Sequence, residues 1–215
     1  MESLHTTHPV RKRGRPTQIE RVERRTQILE AALPVFLEYG FGDTTVDQLA
    51  AAARVTKRTL YSYYGNKAGV FTEMQRRLAA TVSGDTPAHD TLASLATRIV
   101  LRLHSAEMIG LHRLVIAESL RFPELARNLY ENGDLRHIAR LADLMQAEWG
   151  PEASSSAEAL FSLLLGEDYR RRLLGLIGPA TTEEAAKHAL TALATIGTER
   201  YDGTPLRDPT PTCLL

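Results

Sequence analysis

The chain has 215 residues, 43% of them hydrophobic and 24% charged, with a mean hydropathy of −0.21; these values exclude a disordered polymer and a membrane-embedded bundle and allow a small domain followed by a larger one. The net charge of zero is unevenly distributed, since residues 1–80 carry 13 lysines and arginines against 8 acidic residues and residues 81–215 carry 13 against 18. A basic first third points to an anionic partner, nucleic acid foremost.

The longest apolar stretch, 160–177, is broken by Glu167, Asp168 and three consecutive arginines, whereas a membrane span needs about 20 nearly uncharged residues. No apolar run follows the basic N-terminal cluster, so no secretory leader and no membrane partner are expected, and the cytoplasm is the expected location. The single cysteine, Cys213, excludes a disulfide framework and a cysteine-based zinc site, and its distance from the end misses the prenylation spacing.

In chain order, residues 1–15 lack periodicity and hold Arg11, Lys12, Arg13 and Arg15. Ile28, Ala31, Ala32, Val35, Phe36 and Tyr39 then fall on one stripe of a helix that Gly40 ends. Pro34 lies inside that helix and is expected to bend it, because it removes the bond to Glu30. A short helix over 45–53, with Thr44 as its cap, and another over 57–63, capped by Thr56, are joined by a tight turn. Asn66 opens a fourth helix that carries Val70, Phe71 and Met74 on one side.

Longer helices follow at about 89–103, 106–121, 123–149 with a break at Gly133, 152–174 and 182–198. Ser105 suits a cap, Pro123 a first turn, Gly175 and Gly178 a helix exit, and Thr181 with Glu184 a capping box. No segment alternates like a strand, so the fold expected is all-α. The expected division is a basic arm at 1–15, a helix-turn-helix domain at 16–66, a helical effector-binding and dimerisation domain at 67–200 and a tail at 201–215.

Two short helices joined by a tight turn make a helix-turn-helix. Val46, Leu49, Ala50, Ala53, Val55, Leu60 and Tyr64 are spaced to pack on Ile28, Ala32 and Phe36, which leaves Thr56, Lys57, Arg58, Thr59, Tyr61 and Tyr63 outward. Hydroxyl, cationic and phenolic groups of this kind bind phosphates and read base edges. The run TTVDQLAAAARVTKRTLYSYYGNK at 44–67, after ILEAALPVFLEYGF at 28–41, resembles the DNA-binding domain of TetR-family transcriptional regulators. The resemblance covers about 50 residues and is specific in order and spacing. It implies phosphate contacts at Thr45, Thr56, Tyr61, Tyr63 and Lys67, with Thr44 beside them, and base contacts at Lys57, Arg58 and Thr59.

One departure from the family pattern is Arg54, which stands in the turn where the family usually has glycine, at a strain of about 1 kcal/mol. The segment RKRGRP at 11–16 resembles the core of minor-groove AT-hooks, so Arg11, Lys12, Arg13 and Arg15 are candidate DNA contacts. The alternative for that arm is a solvated tail.

The run RLVIAESLRFPELAR at 113–127 is similar to the C-terminal domain of AefR-like members, which implies a dimerisation and effector module. Ala157, Leu160, Phe161, Leu163 and Leu164, with Ala186, Ala189, Leu190, Leu193 and Ala194, are the candidate seam of a homodimer packed through four helices; the alternative is monomer core. Met108, Leu111, Val115, Phe122, Tyr130, Leu141, Met145 and Trp149 are candidate walls for an apolar or amphipathic effector.

His104 and His112 lack a third ligand at suitable spacing, so no metal is expected, and no motif calls for a cofactor. The absence of nucleophile-elbow, P-loop, dinucleotide and zinc-protease motifs argues against an enzyme. The expected function is a ligand-responsive homodimeric repressor on a near-palindromic DNA operator. The alternative is a regulator whose C-terminal part senses a protein, and a buried volume of several hundred Å³ would favour the small molecule.

Overall fold

The computed structural model describes residues 17–83 and 90–201. The basic arm, with Arg11, Lys12, Arg13 and Arg15, and the tail beyond residue 201 lie outside the described residues. Among those described, every regular element is a helix. The first helix, α1, runs Gln18–Asp43 and so begins ten residues before the apolar stripe. Thr17 makes a capping box there: its hydroxyl accepts from the Glu20 N–H at 3.2 Å, and its own N–H donates to Glu20 Oε2 at 2.8 Å. The added turns are mostly charged and exposed, so apolar periodicity could not mark them. Gly40, at φ 76° and ψ 170°, leaves the helical conformation where its side-chain-free backbone allows it.

The turn after Gly40 corrects one expectation. Thr45, not Thr44, caps α2 (Val46–Ala52), accepting from the Gln48 N–H at 3.2 Å while Gln48 Oε1 accepts from the Thr45 N–H at 2.7 Å. Arg54 adopts the left-handed conformation expected of it, at φ 52°. Thr56 caps α3 (Lys57–Tyr64) through the Thr59 N–H. Asn66 Oδ1 accepts from the Gly69 N–H at the start of α4 (Lys67–Ser83), whose Val70, Phe71 and Met74 are buried.

The remaining helices are α5 (Leu92–Leu103), α6 (Ala106–Glu118), α7 (Pro123–Leu129), α8 (Leu135–Trp149), α9 (Ala157–Leu173) and α10 (Thr182–Tyr201). Ser105 caps α6, Pro123 opens α7, and Thr181 with Glu184 forms the box before α10. The break expected at Gly133 is a π-helical segment, Tyr130–Asp134, in which the Leu135 N–H reaches back five residues to the Tyr130 carbonyl. Asn132 Nδ2 donates to the Asn128 carbonyl beside it at 3.0 Å.

A second irregularity lies in α9, where Gly166 (φ 61°, ψ −172°) interrupts the helix. Two histidines donate to carbonyls of the preceding turn: His188 Nε2 lies 2.8 Å from the Leu163 oxygen and His104 Nε2 lies 3.1 Å from that of Leu164. A carbonyl only accepts, so both imidazoles carry their proton on Nε2. The neutral His104 then accepts on Nδ1 from Arg172 at 3.3 Å. Burial first, and then the Arg172 cation, hold the His104 pKa down at about 4.

One hydrophobic core runs through the molecule, from Leu29 in α1 to Ile196 in α10. Aromatic rings join its N-terminal and C-terminal parts: Phe71 meets Phe36 edge-on at 4.9 Å, and Phe41 meets Phe122, ahead of α7, at 4.9 Å. Such pairs add about 0.5–1.5 kcal/mol each beyond the area they bury. These contacts pack the first helix against α4 and against the start of α7.

Candidate nucleic-acid interface

Ile28, Ala32 and Phe36 of α1 form the floor on which Leu49, Ala50 and Ala53 settle, and Leu60 of α3 is fully buried in the same core. Two hydrogen bonds fix the angle of the short helices: Gln27 Nε2 donates to the Ala53 carbonyl at 3.1 Å, and the Tyr64 hydroxyl to the Arg25 carbonyl at 2.9 Å. With Leu60 inward, helical geometry turns Thr56, Lys57, Arg58 and Tyr61 outward, and all four are exposed, as is Thr45. Thr59 and Tyr63 are half-buried beside them. The N-terminal end of α3, with its positive dipole end, faces the same side.

The local electrostatics restrain this face. Lys57 Nζ lies 2.7 Å from Asp47 Oδ1, a pair between α3 and α2 in which both side chains are mostly exposed. The hydrogen bond and charge of Asp47 raise the Lys57 pKa. Sequence reasoning missed Asp47; its position in the first turn of α2, ten residues before the cationic run, was the available signal. The Thr56 hydroxyl already accepts from the Thr59 N–H and meets the Thr59 hydroxyl at 2.9 Å.

Two expected contacts change role. Thr44 is 2% exposed and its hydroxyl donates to the Gly40 carbonyl at 2.6 Å, so it closes the turn after α1 and has no surface to offer DNA. Lys67 donates from Nζ to the carbonyls of Phe41, Gly42 and Thr44 at 2.6, 2.8 and 2.7 Å, above the Phe41 ring at 4.7 Å. Its three N–H donors are thereby used on backbone oxygens, and a phosphate would have to displace one of them. The same turn receives a second tie from the C-terminal part, because Glu118 Oε1 at the end of α6 accepts from the Gly42 N–H at 2.8 Å.

The effector candidates separate. Met108, Leu111, Val115, Leu141 and Met145 are buried core, Phe122 and Trp149 pack against that core, and Tyr130 is half exposed. Among the eight, only Met108 lines the small cavity that α4, α5, α6, α7, the π segment and α8 surround. That cavity is about 10 Å³, room for about one water, and far below the several hundred Å³ of a preformed pocket. Larger concavities among the described residues, of about 300 to 570 Å³, are surface grooves.

Ionisable and polar side chains share the cavity wall with apolar ones. Gln75, Arg102, His112, Asp134 and His137 line it together with Leu78, Leu103 and Met108. Burial lowers the pKa of His112 and of His137 to about 4 and raises that of Asp134 to about 6. Burial also pushes the Tyr169 phenol far up, so it keeps its proton, and its hydroxyl shares a 2.7 Å hydrogen bond with His112 Nδ1.

The candidate seam also divides. Ala157, Leu160, Phe161 and Leu164 of α9 and Ala189 of α10 point into the monomer core. Leu163, Leu190 and Ala194 are exposed, and Ala186 and Leu193 are half-buried. The two stripes are therefore partly core and partly surface. Among the described residues no group of three or more metal-ligating side chains is present, and no helix is long and apolar enough to cross a membrane.

A short helix standing on a buried leucine, with threonine, lysine, arginine and tyrosine outward at the free end of a helix-turn-helix, defines a DNA-reading protein. Comparison with known proteins makes this particular. The model for bacterial regulatory proteins of the tetR family matches residues 28–74, and that for the C-terminal domain of AefR-like transcriptional repressors matches residues 90–201. The chain belongs to the TetR family of transcriptional regulators, which are not enzymes.

Its relatives include the helix-turn-helix regulator YdeS of Bacillus subtilis, 35% identical over 115 residues, which are 51% of this chain and 55% of YdeS. The transcriptional repressor SCO4008 of Streptomyces coelicolor is 38% identical over 50 residues, 23% of this chain and 26% of that repressor. The chain thus spans about half or less of the length of these relatives. A TetR-family regulator from Mesorhizobium loti shares the fold with a TM-score of 0.70 at 24% identity, covering 86% of this chain and 98% of that one. The flavonoid-responsive regulator FrrA aligns with a TM-score of 0.65 at 27% identity, over 83% and 97% of the two chains.

Proposed function

We propose that the protein is a ligand-responsive, homodimeric repressor that binds a near-palindromic DNA operator from the cytoplasm. The observation that carries this reading is the exposed row Thr56, Lys57, Arg58 and Tyr61 on a helix anchored by Leu60. Arg58, Lys57 and Thr59 read bases. Thr45, Thr56, Tyr61 and Tyr63 hold phosphates, and the cationic arm of Arg11, Lys12, Arg13 and Arg15 follows the minor groove. The outward Leu163, Leu190 and Ala194 support a dimer through α9 and α10. The AefR-like repressor model and the name of FrrA support repression and a small-molecule effector.

Release needs a ligand that binds one arrangement of the recognition helices better than the other. The route runs along α4. Gln75 and Leu78 stand in the cavity wall, and Lys67, about 12 Å nearer the N-terminus of the same helix, holds the turn between α1 and α2. Glu118 offers a parallel link from α6 to Gly42. The small cavity volume favours the protein-partner alternative, while the polar groups that converge on it favour a ligand.

The test is to recover the genomic fragments that the purified protein retains and footprint the strongest. The expected result is two inverted half-sites with centres about 34–36 Å apart, protected by a dimer. No enrichment over random DNA, or protection of a lone half-site by a monomer, would sink the reading.

A further inference from the structure

Among the described residues four buried side-chain polar atoms lack a hydrogen-bond partner, and three of them, Gln75 Oε1, Arg102 Nε and His137 Nδ1, belong to residues that line this small cavity between α4, α5, α6 and α8. An unmet buried polar group is costly, so three at one place call for a ligand or an ordered water. The Gln75 orientation is fixed, because its Nε2 donates to the Leu125 carbonyl at 3.2 Å and must therefore be the amine end. Gln75 and His137 are each only 2% exposed.

The three atoms make contrasting demands. Gln75 Oε1 can only accept, Arg102 Nε–H can only donate, and the neutral His137 Nδ1 does one or the other according to its tautomer. A cationic ligand offers no acceptor to Arg102 and meets a like charge there. An anion offers no donor to Gln75 and faces the Asp134 carboxyl, whose pKa burial already raises to about 6. A hydroxyl group both donates and accepts. The rest of the wall, Leu78, Leu103, Met108 and Leu129, is apolar.

The cavity has a place to grow. Gly133, in the π segment, is buried and lines the cavity, yet a Cβ built on it would meet no heavy atom within 4 Å. Open space therefore stands beside a backbone whose hydrogen-bond ladder is already irregular. We propose that this cavity is the seat of a small neutral molecule with a hydroxyl group on an apolar body. The molecule sits against Gly133 and bonds Gln75, Arg102 and His137, and one water holds the place when it is absent. The inference rests on the reading of the protein as ligand-responsive and gives the chemistry of the effector.

The experiment titrates the full chain calorimetrically with benzyl alcohol, benzylammonium, benzoate and toluene, four one-ring probes of nearly equal size, and repeats each titration with the retained operator fragment present. Benzyl alcohol should bind at least tenfold more tightly than the other three. Q75L, which removes the acceptor, should weaken it about tenfold. G133A should weaken it similarly by filling the space, and should keep the wild-type melting temperature, because its methyl group clashes with nothing. Preference for any of the other probes, or no binding by any of the four, would overturn the proposal. Hydroxyl-selective binding that leaves operator affinity unchanged would sustain the site chemistry and sink the ligand-responsive reading instead.

Discussion

Lys67 is held by its own fold: at the first position of α4 its ammonium closes on three carbonyls of the turn between α1 and α2. Desolvation lowers its pKa, and the three charge-assisted bonds offset that cost. K67M should therefore destabilise the protein by about 2–3 kcal/mol, the scale of losing hydrogen bonds to a charged group, as a fall in the urea midpoint. The salt slope of DNA binding should stay as it was, whereas a phosphate contact would subtract about one unit per half-site. Asp47 is the converse case. D47N frees Lys57 from its 2.7 Å partner and removes a negative charge from the DNA-facing side, so affinity for specific and random DNA should rise several-fold together in an anisotropy titration at low salt.

At the scale of elements, what the sequence showed was what is local. The caps at Thr56, Ser105 and Thr181 and the left-handed Arg54 depend on residues within a turn of each other, and all appear in the structure. Thr44, the cap expected for α2, gives way to its neighbour Thr45 because tertiary packing buries Thr44. Of the effector candidates only Met108 lines the cavity, because aromatic and methionine spacing marks the core stripe as readily as a pocket. The residues that line the cavity come from six elements spread between Gln75 and His137. The seam on α9 and α10 mixed two faces for a similar reason, since alanine and leucine suit a core and an interface equally. Paired substitutions separate those faces. Leu190 is 58% exposed, so L190R should yield a folded, helical monomer in sedimentation and circular dichroism. Leu164 is fully buried, so L164R should unfold the chain, because it places an unpaired charge in the core.

For the whole molecule the buried imidazoles set the response to acid. His104, His112 and His137 titrate at about 4 in the folded chain and at the ordinary 6.5 when unfolded. Between those values the unfolded chain binds three more protons, so stability falls as pH falls. Asp134 opposes them with one proton, because burial raises its pKa from 3.8 to about 6 and the folded state binds that proton first. The net of two protons, at about 1.4 kcal/mol each per pH unit, gives a loss of up to about 3 kcal/mol per unit between pH 6 and pH 4. Urea midpoints measured at pH 7, 6 and 5 should drop steeply over the second interval, and a flat series would show that these histidines are hydrated or charged in the native state.

The π segment between α7 and α8 can be regarded as a dislocation in a crystal. Tyr130–Asp134 holds one residue more than an α-helix would fit in the same rise, so the hydrogen-bond ladder on one side is out of step with the other by a single place. A defect of this kind moves along a helix by exchanging one backbone bond at a time, and each residue it passes shifts one place in the ladder, about 100° around the axis. Just ahead of the defect lie Leu125, whose carbonyl accepts from Gln75, and Asn128, whose amide donates to Thr72 at 3.1 Å on α4. Gly133 and Asp134 lie within the defect itself, so the cavity adjoins a stretch whose backbone ladder is already out of step, where a local shift can be converted into rotation.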